Sequence, residues 1–60
     1  MNYTELKKEY VIETLGKGAR VIMCDFATMR MLECVELSVA AVNSFIEKPE
    51  TKFFKVTTNE

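Results

Sequence analysis

The chain has 60 residues, 48% of them hydrophobic, and it contains no histidine. Histidine is the side chain used most for proton transfer and metal binding near neutral pH, so its absence argues against an enzyme or a metal site. Eight basic and nine acidic residues are interspersed and leave a net charge of -1, whereas a nucleic-acid-binding module normally carries a basic stripe. The composition predicts one domain, residues 1–60, without catalytic activity, cofactor or nucleic-acid partner.

Small size and cysteine usage narrow the class further. A domain of this length buries only roughly 60% of its unfolded surface, and it usually needs a disulfide, a bound metal or oligomerisation to be stable. Its two cysteines, Cys24 and Cys34, are too few for a disulfide-stabilised secreted mini-protein, and without histidine they make a poor zinc site. No apolar run approaches the ~20 residues of a membrane span, and residues 1–8 are too polar for a secretory signal. These features predict a soluble cytoplasmic protein without a membrane or metal partner.

The first predicted element is a helix over residues 4–15. Leu6 and Tyr10 share one helical face, and Gly16 suits a left-handed helix end. The competing interpretation makes residues 10–15 a strand, because Tyr-Val-Ile favours β structure. We favour the helix.

Two strands are predicted next. Residues 20–26 are apolar on both sides and follow a glycine-containing loop, which indicates a strand. Residues 27–29 form a turn without glycine or asparagine, and residues 30–37 form the return strand of a hairpin. Asp25, at the end of the first strand, suits the role of organising this turn.

A second helix and a last strand complete the order α-β-β-α-β. Ser38 is a good N-cap, and Val39, Val42 and Ile46 follow at helical spacing. Pro49 ends the helix, because the residue before a proline avoids the helical region. Residues 52–58 then alternate as a strand.

The predicted fold class is α+β: a three-stranded sheet with two helices packed on one face. The last strand either pairs with the first, in an antiparallel order 2-1-3, or lies parallel to the second through a right-handed crossover. Residues 20–26 and the pair Phe53-Phe54 place apolar side chains on both faces of this sheet. The face that the helices leave uncovered then needs a cover, and the simplest is a second copy of the chain. We therefore expect a homo-oligomer, with a dimer as its simplest form.

A surface for a further partner is predicted at the hairpin and its tip. Charged side chains there surround adaptable methionines, and interface patches combine an apolar centre with a polar rim and are enriched in Met and Arg. The residues of this predicted surface are Asp25, Met29, Arg30, Met31, Glu33 and Glu36.

Four short segments carry a resemblance to other proteins: Val-Ile-Met-Cys-Asp-Phe, Glu-Leu-Ser-Val, Val-Asn-Ser-Phe-Ile-Glu and Phe-Phe-Lys-Val. In these segments, residues 20–56 resemble short uncharacterised proteins of phages and prophages of Gram-positive bacteria. Proteins of that type include anti-defence inhibitors, aimed at CRISPR nucleases or at nucleotide-signal immunity. The resemblance implies a non-enzymatic protein that binds and blocks a host defence protein in the host cytoplasm. It carries over no catalytic or ligand residues.

The alternative function is an oligomeric small-ligand binder. Such a protein would sequester a nucleotide-like signal in a pocket between subunits. Guanidinium and ammonium groups bind phosphate well, so the possible anion contacts are Arg20, Arg30 and Lys55.

Overall fold

The fold comes from a computed structural model, which describes residues 2–58. It is α+β, as predicted, but the sheet has four antiparallel strands and not three, in the order β1-β4-β2-β3. Short 3-10 turns occupy Lys8–Tyr10 and Cys34–Glu36. The main elements, in chain order, are β1 (Asn2–Leu6), α1 (Val11–Gly16), β2 (Arg20–Asp25), β3 (Arg30–Glu33), α2 (Val39–Ile46) and β4 (Thr51–Thr57).

The predicted helix over residues 4–15 is wrong in its first half. Leu6 lies opposite Phe53 in the antiparallel pair of β1 and β4. This pairing gives the backbone groups on the outer edge of β4 hydrogen-bond partners, and it buries part of the Leu6 side chain. Backbone pairing and tertiary burial outweigh local helix propensity here. The helix begins only at Val11, so the strand interpretation of residues 10–15 is wrong too. Gly16 lies inside α1, and the left-handed backbone is found at Gly18, with φ 81°.

The hairpin is present, with a shorter return strand than predicted. β3 ends at Glu33, and the chain then turns so that Cys34 enters the core with 1% of its surface exposed. Cys34 lies on the same side as Leu32, as strand alternation requires, but the chain leaves the strand there for a 3-10 turn, in which the Leu37 N–H donates to the Cys34 carbonyl at 3.0 Å. At the hairpin turn, Met29 has a φ of 56°, an uncommon conformation for a residue other than glycine.

The last helix and strand follow the prediction closely. The Ser38 hydroxyl accepts a hydrogen bond from the Ala41 N–H at 3.2 Å, which confirms the N-cap. α2 ends before Pro49, and β4 pairs antiparallel with β2. Of the two strand orders left open by the sequence, the antiparallel one is therefore correct. β1 adds a strand on the outer side of β4, so β4 lies inside the sheet.

One hydrophobic core lies between the helices and a single face of the sheet. Both helices and all four strands pack into it, either with buried members or with partly buried neighbours. Within residues 2–58, no helix is long and apolar enough to cross a membrane. The buried members of the core are Val11, Val21, Met23, Cys34, Val42 and Phe53.

The hairpin turn depends on Asp25, and its replacement should destabilise the fold. Asp25 is 2% exposed, and one carboxylate oxygen accepts the Ala27 N–H at 3.0 Å while the other lies 3.9 Å from the Lys48 ammonium. We expect Asp25→Ala to lower the free energy of unfolding by about 1–3 kcal/mol, because it leaves a partly buried N–H without an acceptor. Urea denaturation followed by circular dichroism measures this loss.

The matched control is Asp25→Asn, which keeps an oxygen that can accept the same hydrogen bond. It should lose less stability than Asp25→Ala. Equal losses in the two variants would show that the bond to Ala27 does not stabilise the turn.

Candidate functional site

One face of the sheet carries no helix. Strand alternation and the pairing registers place Ile22 of β2 directly opposite Phe54 of β4 at the centre of this face. None of the six residues of the buried core cluster lies on it, and its one buried side chain among the described residues is Val56, 8% exposed. We call it the open sheet face; its residues are Tyr3, Glu5, Arg20, Ile22, Cys24, Met31, Glu33, Lys52, Phe54 and Val56.

The centre of the open sheet face is apolar. A shallow cavity of about 280 Å³ is lined by Tyr3, Ile22, Met31 and Phe54. Ile22 and Phe54 are half-buried, whereas Tyr3 and Met31 are 56% and 68% exposed. Contiguous exposed apolar surface with a polar rim is characteristic of an interaction site. The sequence predicted the apolar character of this face through Ile22, Cys24 and Phe54.

Charged side chains surround this apolar centre. The Arg20 guanidinium Nε lies 2.6 Å from the Glu33 carboxylate, which joins β2 to β3 on the open sheet face. On the other side, Glu5 lies opposite Phe54, and Lys52 is two residues before Phe54 on β4. Within residues 2–58, neither Glu5 nor Lys52 has an ion pair. The rim therefore combines one satisfied pair with two charges that are available to a partner.

Sequence reasoning missed Tyr3 and Glu5 as members of this surface. Glu5 lies in the segment that was predicted to be helical, and Tyr3 immediately precedes that segment. The β preference of Tyr3 and Thr4 was the only local signal for a strand.

The predicted partner surface at the hairpin is divided among several places. Asp25 is buried, and its carboxylate accepts a hydrogen bond from the Ala27 N–H in the turn, so it does not lie on the surface. Met29, 79% exposed, and the exposed Arg30 do lie together at the hairpin tip. Phe26, 48% exposed, lies in the same turn and gives the tip a second large apolar side chain.

The other three residues of that surface lie further from the tip. Met31 and Glu33 are on the open sheet face, as their pairing with Cys24 and Ile22 shows. Glu36 is exposed in the 3-10 turn after β3. The hairpin therefore contributes to two surfaces, the tip and the open sheet face.

The three possible anion contacts do not converge within one chain. Arg20 lies on the open sheet face and is engaged with Glu33. Lys55 pairs with Val21, which places it on the helix-covered face. Arg30 lies at the tip, at the opposite end of the hairpin from Arg20. One chain does not form a phosphate pocket from these side chains.

A second cavity, of about 390 Å³, lies between the two helices and reaches the Cys34 thiol. Its lining is apolar apart from that thiol and backbone groups, and Val35 and Val39 at its mouth are 48% and 60% exposed. It can accommodate an apolar group and offers no charged side chain to orient a polar one.

The two cysteines are free thiols on opposite sides of the sheet. Cys24 is half-buried on the open sheet face, and Cys34 belongs to the core. This placement rules out a disulfide between them and a metal site that uses both thiols of one chain. Burial raises the pKa of the Cys34 thiol from 9.0 to about 11, because it disfavours the thiolate. Among residues 2–58, no three His, Cys, Asp or Glu side chains are grouped to hold a metal ion.

The chain was compared with protein-family models, with curated proteins and with solved structures, and nothing matches it. Function is therefore inferred from the open sheet face and the hairpin tip.

The buried thiol makes two measurable differences between the cysteines. In the folded protein at high dilution, where no second copy covers the open sheet face, a thiol reagent such as Ellman's reagent should modify Cys24 and should reach Cys34 only after urea is added, because Cys34 is inaccessible and protonated. Stability should also fall as the pH rises from about 9 toward about 11, since the unfolded chain ionises this thiol first. Each unit of pKa difference corresponds to about 1.4 kcal/mol.

Two alanine variants separate the ionisation of Cys34 from that of the other groups that lose a proton at alkaline pH. Cys34→Ala should show a shallower loss of stability with pH than Cys24→Ala. Equal slopes, or equal labelling rates of the two thiols in the native protein, would contradict the assignment.

Proposed function

We propose that the protein is a small, non-enzymatic interaction protein that dimerises through the open sheet face and uses the hairpin tip to bind and block a host protein. The observation that carries this proposal is the apolar centre and charged rim on a sheet face that no helix covers. The resemblance to phage-encoded anti-defence inhibitors supports the class of partner. The apolar and basic side chains at the tip support the place where that partner binds.

The open sheet face is large enough for the centre of a small interface between two copies. Four strands at about 4.8 Å and five residues at about 3.4 Å give a footprint of about 19 by 17 Å. This projected area of about 320 Å² is below the roughly 800 Å² per partner of a standard interface, so side chains around its rim must also be in contact. Dimerisation would add to the small core the apolar burial that a 60-residue domain lacks.

The hairpin tip stays accessible when the open sheet face is covered. Phe26 and Met29 project from the turn beyond the last paired residues, Asp25 and Arg30. Phe, Met and Arg are enriched in protein interfaces. Self-association and partner binding can therefore use separate parts of one hairpin.

The ligand-sequestering alternative has less support. Its candidate cations, Arg20, Arg30 and Lys55, lie in three separate places, and Arg20 already bonds Glu33. A pocket between subunits would have to gather them from different copies.

A matched pair of methionine variants tests the dimer. Met31 lines the open sheet face and Met29 lies at the tip, and both are largely exposed. We expect Met31→Lys to weaken dimerisation at least about tenfold, equivalent to about 1.4 kcal/mol, because it places a charge in an apolar interface. Met29→Lys should leave dimerisation unchanged. Sedimentation equilibrium at micromolar concentration measures both against the wild type, expected at twice the 6.9 kDa chain mass. A wild-type mass of one chain would refute the dimer.

A second pair of variants tests the hairpin tip. The double change Met29→Ala with Arg30→Ala should keep the dimer and the melting temperature, since exposed turn substitutions are usually mild. It should weaken capture of the host partner at least about tenfold. The control is Glu13→Ala with Lys17→Ala, which removes an exposed ion pair of α1. Immobilised proteins are exposed to a lysate of Gram-positive bacteria, and the retained proteins are quantified by mass spectrometry.

The expected result is a host protein that the wild type and the control retain and the tip variant loses. If the tip variant retains everything and the α1 control loses its partner, the binding surface is on α1 and the assignment is wrong.

A further inference from the structure

We infer that the second copy lies across the first with its strands turned by about 90°, so that Glu5 of each copy meets Lys52 of the other. This inference rests on the proposed dimer and adds to it the arrangement of the two sheets.

The acids and bases of the open sheet face lie on two crossing lines. Glu5, next to last in β1, and Glu33, the last residue of β3, lie in one row with the central pair, opposite Phe54 and Ile22 respectively. The acidic line therefore runs across the strands.

The basic line runs along the strands. Lys52 lies opposite Cys24, beyond the Ile22–Phe54 centre, and Arg20 lies opposite Val56, on the other side of that centre. Both basic residues belong to the inner strands. The open sheet face thus has acids at two opposite edges and bases at its other two edges.

Because the acidic line and the basic line cross, the charges favour one of the two ways in which sheets stack. Sheets pack face to face either nearly aligned, within about 30°, or crossed at about 90°. In an aligned two-fold dimer the acidic line of one copy lies over the acidic line of the other, and like charges face each other. In a crossed dimer the acidic line of each copy lies over the basic line of the other. Charge complementarity favours the crossed arrangement.

Two crossed arrangements exist, and the existing ion pair selects one. The first joins Glu5 to Lys52 of the second copy, and the second joins Glu5 to Arg20 of the second copy. Arg20 is already bound to Glu33 at 2.6 Å, whereas within residues 2–58 Glu5 and Lys52 have no ion pair. The first arrangement pairs the two available charges and leaves the Arg20–Glu33 pair in place.

The same arrangement also brings together the two largest exposed apolar side chains of the face. Tyr3, opposite Val56, and Met31, opposite Cys24, occupy diagonal corners of the open sheet face. The rotation that brings Glu5 of one copy to Lys52 of the other also places the Tyr3 corner of one copy over the Met31 corner of the other. Aromatic rings and thioether sulfurs make favourable contacts.

A charge exchange tests the arrangement in the full chain. Glu5→Lys and Lys52→Glu should each weaken dimerisation at least about tenfold, because a two-fold dimer contains each contact twice. The double variant Glu5→Lys with Lys52→Glu should restore the dissociation constant to within about threefold of the wild type. Sedimentation equilibrium measures all four proteins, and circular dichroism checks that each is folded.

The matched control exchange is Glu5→Lys with Arg20→Glu. If it restores the dimer and the Lys52 exchange does not, the second copy is rotated in the opposite sense, with Glu5 against Arg20, and the inference is overturned. If the single variants dimerise like the wild type, or if the Lys52 exchange fails to restore a dimer that the wild type forms, the crossed arrangement is wrong while the proposed dimer survives. A monomeric wild type overturns both.

Salt dependence gives a second readout that does not rely on charge reversal. Wild-type dimerisation should weaken between low salt and about 1 M salt, where the screening length falls to about 3 Å. Dimerisation of the neutral variants Glu5→Gln and Lys52→Gln should depend less on salt than that of the wild type, and by the same amount in both variants. Unchanged salt dependence in both would overturn the inference.

Discussion

The two helices of this chain can cover only one side of its sheet, and the other features follow from that limit. Helices of six and eight residues are about 9 and 12 Å long, whereas four strands span about 19 Å. Both helices are used to enclose Val21, Met23 and Phe53 on one face. Ile22 and Phe54, the neighbours of these residues in sequence, must then lie on the open side.

Much of the fold could be predicted from the sequence wherever local signals and tertiary structure agree. β2, the Ser38 cap, α2 and β4 all combine a strong period with a clear beginning. β1 could not be predicted, because its conformation is determined by pairing with β4, about fifty residues away along the chain. β3 is shorter than predicted because the chain leaves the strand for a 3-10 turn at Cys34–Glu36, which no local residue indicated.

The candidate site could be predicted in part for the same physical reason. Two-sided apolar character in residues 20–26 and 53–54 predicted the open sheet face, since a period of two fixes which side chains share a face. Its rim could not be predicted, because Glu5 and Lys52 are brought near the same apolar centre only when β1 pairs with β4. Asp25 was predicted both to organise the turn and, by its charge, to lie on a surface; the first prediction is confirmed, because one carboxylate oxygen accepts the Ala27 N–H while the other faces Lys48 beyond α2.

A crossed dimer would also determine how the two hairpin tips are presented. Each tip lies at the end of β2 and β3, so two sheets crossed at about 90° direct their tips away from each other at about a right angle. An aligned dimer would instead place both tips along the strand axis, pointing the same way or opposite ways. Two tips on a fixed frame can engage two sites of one partner assembly, and the second contact then forms at a high effective concentration. In that arrangement the open sheet face, covered by the second copy, would set the spacing and angle at which Met29 and Arg30 reach the proposed partner.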